Sequence, residues 1–315
     1  MSPRGWATAL VVFFAALALL PLVVRRDDVL NFVLLILLTI TLAESWNIVA
    51  GYAGQVNLGH AAFFGLGALT ARTLWIGGTP ILLATAAGSL VATAFALSIG
   101  AAAFRLRGAY FAIGTLALGE ILRTTVGNVL PEISTLPVAS IAGYRLAQRY
   151  YLALALAALS VLAVARLARS RWGLGMQAVR EDEDAAEASG VPSLGLKLRA
   201  LALSTALAGA AGGLFAYYQI SYYPAHAFNP TWTFDALLVT FIGGVGTLQG
   251  PVLGAILYVF LKEYLTVRWV DLHLLIFGVL FIAIVLLFPG GLGQALIQVG
   301  NRARRQLGRR SGATT

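Results

Sequence analysis

Four ionisable side chains stand near the middle of long apolar runs: Glu44, His60, Glu120 and Arg123. Each is a functional candidate by default, because taking a charge out of water is costly unless it is paired or neutralised. Glu120 and Arg123 are three residues apart, on one face of a helix, where they can neutralise each other as a structural ion pair. Glu44 shares a face with Asn47 and Ile48, where it can line a polar path or sit as a protonated, hydrogen-bonded interior carboxyl. A carboxyl at such a depth is also what a proton-coupled carrier uses as a relay, with Glu44 or Glu120 in that role. His60 alone is more often a satisfied core histidine than a working base. The three histidines, His60, His226 and His273, are too far apart for a local metal motif. Without cysteine there is no disulfide, thiolate ligand or cysteine nucleophile. No nucleophile, base or metal set stands at usable spacing, so the chain does not read as an enzyme.

What is unusual is a set of amides among glycines. The stretch GYAGQVNLGHAAFFGLGA, residues 51–68, carries Gln55, Asn57 and His60, with glycines at 51, 54, 59, 65 and 67. Irregular backbone at membrane depth survives only when buried in protein or lining a wet cavity. Gly51, Gly54 and Gly59 therefore mark a break whose peptide groups find partners or face a substrate, and the polar groups beside it, Glu44, Asn47, Gln55, Asn57 and His60, are the candidate path. The alternative is an ordinary cytoplasmic turn between two spans. A second glycine-rich stretch, with Gly243, Gly244, Gly246 and Gly250, contains Gly246-TLQ-Gly250, a loose parallel of Gly54-QVNL-Gly59. Paired broken segments in two halves point to an internal repeat around a central path.

The elements that must hold these residues are spans. Of 315 residues 59% are hydrophobic and 11% charged, and apolar runs of membrane length recur, which predicts an all-α polytopic membrane protein. With about 20 residues per helix, ten segments follow, near 6–24, 29–50, 59–76, 81–103, 110–129, 150–168, 199–219, 234–249, 250–267 and 271–288. The eighth and ninth are doubtful as full spans, since glycines at 243–250 allow a broken or re-entrant helix, and the count is eight to ten. Residues 6–24 read as a retained span, with a cleaved signal peptide as the alternative. The net charge of +9 does not form a nucleic-acid stripe, because the arginines fall between apolar runs and in the tail. Arg105 and Arg107 mark one loop, six basic residues from Arg166 to Arg199 the longest loop, and five arginines from Arg302 to Arg310 the tail. This asymmetry places all three, and both termini, on the cytoplasmic side. Arg25, Arg26, Arg145 and Arg149 dissent. The basic tail, 301–315, is expected on anionic lipid. Gly209/Gly213 and Gly250/Gly254 are small-residue pairs suited to close helix approach.

Residues 169–198 are expected to form the one long cytoplasmic loop of a single transmembrane domain spanning 1–315. From Met176 to Ala188 good helix formers and the REDED cluster predict a short amphipathic helix, stopped by Gly190 and Pro192. Three motifs then combine: NIVAGYAGQVNLGHAAFFGLGA, REDEDAAEASGV and GGVGTLQGPVLGA. In that order and spacing, from about residue 30 to 290, the chain resembles the permease subunits of binding-protein-dependent ABC importers for branched-chain amino acids, M-type branch. The resemblance implies a subunit of the bacterial inner membrane that works with a second homologous permease, two ABC ATPase subunits and a periplasmic or lipid-anchored solute-binding protein. It also implies that the cytoplasmic helix docks in a groove of the ATPase, through Arg180, Glu181, Asp182, Glu183, Ala185, Ala186, Glu187 and Gly190. Asn57 and Leu69 depart from the family pattern, which commonly has serine and tyrosine there, and close relatives carry urea or short amides. A Walker A loop needs Gly-Lys-Ser/Thr, but Lys197 and Lys262 each follow leucine. The chain thus needs no cofactor of its own, and ATP is bound by a partner.

Overall fold

The computed structural model describes residues 3–24, 26–130, 134–135 and 143–268, with single positions at 276, 278, 279 and 282. Apart from those four positions the expected tenth segment at 271–288 lies outside the described residues, as do His273, Arg25 and the basic tail. The chain runs α1 (Pro3–Val23), α2 (Asp27–Asn47) continuing into a π-helical turn (Ile48–Tyr52), α3 (His60–Ile76), α4 (Ile81–Ala103), α5 (Ala109–Val129) and α6 (Leu146–Ala168). There follow α7 (Arg171–Glu181), α8 (Glu183–Ala188), α9 (Ser193–Tyr218), α10 (Pro224–Ala227), α11 (Thr231–Gly243) and α12 (Gly250–Arg268). The only sheet pairing among the described residues is antiparallel and two residues long, Ser134 opposite Tyr222 and Thr135 opposite Ser221.

Among the described residues, four helical stretches are long and apolar enough to cross a bilayer: Asp27–Tyr52, Ile81–Ala103, Leu146–Ala168 and Ser193–Tyr218. The all-α membrane class stands. The expected ten segments are not ten equal spans, because α3 has 17 residues and α11 has 13, about 20 Å at 1.5 Å per residue against a ~30 Å hydrocarbon layer. The seventh segment is longer than expected at its start. α9 begins at Ser193, so Lys197 and Arg199 belong to a helix and not to the loop.

Lipid tails offer no hydrophobic drive for helices to associate, so backbone approach through small residues has to supply packing. α2 and α9 form the centre, with Leu34, Leu37, Ile40, Trp46, Ala208, Ala211 and Leu214 at 2% exposure or less. A β-carbon on Gly88 would lie 2.5 Å from the Gly67 carbonyl oxygen, and one on Gly67 would collide with Gly209. Helices α3, α4 and α9 therefore touch through backbone. α1 is attached differently. Pro21 lies inside it and has no N–H to offer the carbonyl four residues back; that carbonyl, on Leu17, instead accepts the Tyr150 hydroxyl at 2.7 Å.

Two arginines bind the C-terminal end of α9, where helix carbonyls run out of N–H partners. Arg72 donates to the carbonyls of Ala216 at 3.0 Å, Gln219 at 2.8 Å and Ile220 at 2.9 Å. Arg149 Nε donates to Tyr217 O at 2.9 Å, with its guanidinium 3.6 Å from the Tyr144 ring centroid and 4.0 Å from that of Tyr217. Arg149, out of line with the loop-charge pattern, is thus an interior brace and not a loop charge.

Candidate functional site

Both glycine stretches break their helices, and the two breaks meet. After Asn47 the helix widens into the π turn, Ala53 N donating to Ile48 O at 3.3 Å; the chain then leaves helical geometry until His60. The second break separates α11 from α12 over residues 244–249. Gly54 at φ 71° and Gly246 at φ 75° hold left-handed backbone, a region that costs other L-residues about 1–2 kcal/mol. Gly51 permits the contact between breaks, since a β-carbon there would stand 2.6 Å from Gly246 N and collide with the Asn47 side chain. Gly243 and Gly250 press backbone on backbone in the same way, and the Thr247 hydroxyl closes the loop between Gly244 O at 2.7 Å and Gly250 N at 3.0 Å.

Asn47 stitches the two breaks. Its Oδ1 accepts Gly246 N–H at 2.8 Å and its Nδ2 donates to Thr247 O at 3.0 Å. The same Nδ2 reaches Glu44 Oε2 at 3.4 Å. Glu44 is fully buried, and its Oε1 has no hydrogen-bond partner among the described residues. Asn57 turns inward too: its Oδ1 accepts Gly59 N at 2.9 Å, while its carbonyl accepts the Trp46 indole N–H at 2.9 Å. His60 Nε2 is 2.7 Å from Ser45 Oγ. Its Nδ1, like Asn57 Nδ2, is buried without a partner among the described residues. Gln55 is half-buried; its side-chain amide donates to the nearby Ala53 carbonyl at 3.3 Å, and its backbone N–H to Val49 O at 2.9 Å. The predicted path residues therefore line a polar seam around the first break in local pairings, Glu44 with Asn47, Asn57 with Gly59 and Trp46, and His60 with Ser45, with Gln55 at its edge.

The cytoplasmic segment joins that seam directly. Arg180 Nη1 donates to Gly51 O at 2.6 Å and fills the space beside Gly246 and Gly54, where added β-carbons would lie 2.6 Å and 2.9 Å from its side chain. The expected single helix over 176–188 is two. Asp182 is extended at φ −156°, ends α7, and caps α8 by accepting Ala185 N at 3.0 Å, the usual competition of an Asp side chain with the helix backbone. Glu183 pairs with Lys197 at 2.5 Å, the lysine being 2% exposed. Ala186 is buried, and Glu187 accepts the Ser193 hydroxyl. Glu181, Asp182, Ala185 and Gly190 are exposed, the last at φ 83°. The eight residues thus divide between an inner face held on the permease and an outer face.

Several site residues have no sequence signature. Thr115 Oγ1 on α5 accepts Leu58 N at 3.1 Å, Thr233 Oγ1 on α11 accepts Ala61 N at 2.8 Å, and Ser204 Oγ on α9 donates to Ser45 O at 2.6 Å. Each satisfies or draws on a backbone group around the first break. A hydroxyl in an apolar helix is too common to single out before its partner is known. At the other end of the molecule a cleft of about 570 Å³ is lined by Asp27, Asp28, Asn31, Tyr144 and Tyr218, among others.

The chain is 29% identical to the high-affinity branched-chain amino acid transport system permease protein LivM of Escherichia coli (strain K12), over 89% of this chain and 74% of that protein. It is 28% identical to the protein of the same name from Salmonella typhimurium, over 86% and 71%. It is also 28% identical to the probable branched-chain amino acid transport permease protein LivM of Methanocaldococcus jannaschii, over 67% and 66%. No solved structure matches. The family model described as branched-chain amino acid transport system, permease component, matches residues 29–285, which hold both glycine breaks and the Arg180 contact that joins them. This chain belongs to that permease family.

Proposed function

We propose that this chain is the membrane-spanning permease subunit of an ATP-driven importer that carries leucine, isoleucine and valine across the inner membrane. The observation that carries the reading is the Arg180 contact: a segment outside the apolar helices hydrogen-bonds the first break and packs on the second. Movement of α7 and α8 is thereby passed to the two irregular backbones, where a path can open without unwinding a helix. The exposed outer face, Glu181, Asp182, Ala185 and Gly190, docks in a groove of an ATPase subunit. The importer comprises a second homologous permease, two ATPase subunits and a solute-binding protein that delivers from the side of the Asp27–Tyr218 cleft. Both termini are cytoplasmic, and the basic tail rests on anionic lipid. ATP is bound by the partner, not by this chain. The seam of Glu44, Asn47, Gln55, Asn57 and His60 lines or braces the path, and its neutral amides suit a zwitterion with no net charge.

The test is reconstitution of the chain with its co-purifying partners in proteoliposomes. Leucine uptake should require enclosed ATP and the binding component, and should be competed by isoleucine and valine. Competition by urea or acetamide instead would assign the chain to the short-amide branch. Uptake by the purified chain alone on a proton gradient would make it a secondary carrier. In the complex, Glu181→Arg and Ala185→Trp should abolish substrate-stimulated ATP hydrolysis and uptake together, because both side chains point away from the permease.

A further inference from the structure

α5 is a membrane-length helix with a polar stripe that the described residues leave uncovered. Arg123 Nε donates to Glu120 Oε2 at 2.8 Å, yet the two side chains remain 42% and 39% exposed. In the span expected at 110–129, Glu120 is about 16 Å and Arg123 about 21 Å from the start of α5 at 1.5 Å per residue, within the central half of a ~30 Å hydrocarbon layer. Thr124 and Asn128, which continue the same face at helical spacing, are exposed as well. α5 buries only Phe111, Thr115 and Gly119. Lipid cannot solvate a half-exposed ion pair, and intramembrane charges face a protein interior or water.

The stripe borders the first break. A β-carbon on Gly119, the residue before Glu120, would stand 3.5 Å from Gly59 Cα, and one on Gly59 would collide with the Thr115 carbonyl. Val56, inside the break, is 41% exposed. Ion pair, hydroxyl–amide stripe and irregular backbone are therefore neighbours, an arrangement that suits a water-filled path and not a lipid-facing helix.

We propose that Glu120 and Arg123 form a binding site for a zwitterionic α-amino acid. The pair opens, Arg123 takes the substrate carboxylate and Glu120 its ammonium group, and the pair closes again when the substrate leaves. Each charge exchanges one charge-assisted hydrogen bond for another, so net charge at the site is zero in both states and no unpaired ion is left at membrane depth. Binding of this kind is weak, as a transit site must be if substrate is to leave it. The proposal rests on the reading of the chain as an amino-acid permease.

The assembled transporter in proteoliposomes tests it. Glu120→Gln and Arg123→Gln should each lower leucine uptake per ATP hydrolysed at least tenfold, and the double variant E120Q/R123Q should be no better than the worse single one. If the two residues only neutralise each other, the double variant has no orphaned charge and regains uptake near the wild-type value, which overturns the proposal. The chain has no cysteine, so Thr124→Cys offers a clean second reading with a charged, water-soluble thiol reagent. Its labelling should slow several-fold when leucine is transported. A Thr124→Cys that never reacts, or reacts equally with and without leucine, places the stripe against lipid or a partner subunit and overturns the site. A wild-type complex that moves no amino acid overturns both readings; a transporting wild type with a fully recovered double variant overturns this one alone.

Discussion

Replacing Asn47 by leucine isolates the junction between the breaks. Leucine keeps the branched, four-heavy-atom outline and is the larger of the two, so the change removes hydrogen bonds without opening a cavity. Lost with the amide are the bond from Gly246 N–H at 2.8 Å and the bond to Thr247 O at 3.0 Å, both bridging residues about 200 positions apart in the chain. A buried donor or acceptor stranded by its partner costs about 1–3 kcal/mol. The Thr247 carbonyl is half-buried and water offsets part of its loss, so the pair is worth about 2–3 kcal/mol, or about 30- to 150-fold in the equilibrium between joined and separated breaks. Amide hydrogen exchange followed by mass spectrometry reads this directly. The peptide covering 244–249 should exchange about 30- to 150-fold faster in Asn47→Leu, while peptides from α4 keep their protection. Leucine uptake should fall in parallel. Unchanged exchange at 244–249 would mean that the breaks are held together by packing alone, and the role given to Asn47 would be wrong.

Gly54→Ala should reduce uptake without loss of membrane insertion, since it forces a left-handed residue costing about 1–2 kcal/mol against the Arg180 side chain 2.9 Å away; wild-type uptake would return the stretch to an ordinary turn. Lys197→Met leaves Glu183 unpaired at 22% exposure and should lower the stability of the purified complex by about 1–3 kcal/mol, toward the low end for a broken pair because water reaches the carboxylate. Adding Glu183→Gln should recover most of that in a thermal unfolding experiment, and no recovery would assign the loss to packing. Arg149→Lys keeps the charge but loses the planar stacking on Tyr144 and Tyr217, so the unfolding midpoint should drop by the equivalent of about 1 kcal/mol; an unchanged midpoint would show that charge alone is sufficient at the α9 terminus.

Segment-level features were legible in the sequence because their causes are local. Apolar runs set the helices, glycine clusters at 51–59 and 243–250 set the breaks, and the Gly190–Pro192 stop set the end of the cytoplasmic helix. The same local rules singled out Glu44, Asn47, Asn57 and His60 as polar groups beside the first break, where each has a short-range partner. Motif order carried the family, which comparison with known permeases bears out. What no local rule contains is which break meets which. Asn47 finds Gly246 and Arg180 finds Gly51 only because α2, α7 and α12 pack around shared backbone contacts, and an amide or guanidinium has no preference in sequence for a carbonyl 129 or 200 positions away. Burial likewise reassigned charges. Arg149 reads as a loop cation and Glu183 as a docking residue until folding brings α9 carbonyls beside the first and Lys197 beside the second. An ionisable side chain takes its role from the partner available where water is absent, and that partner is chosen by the tertiary fold.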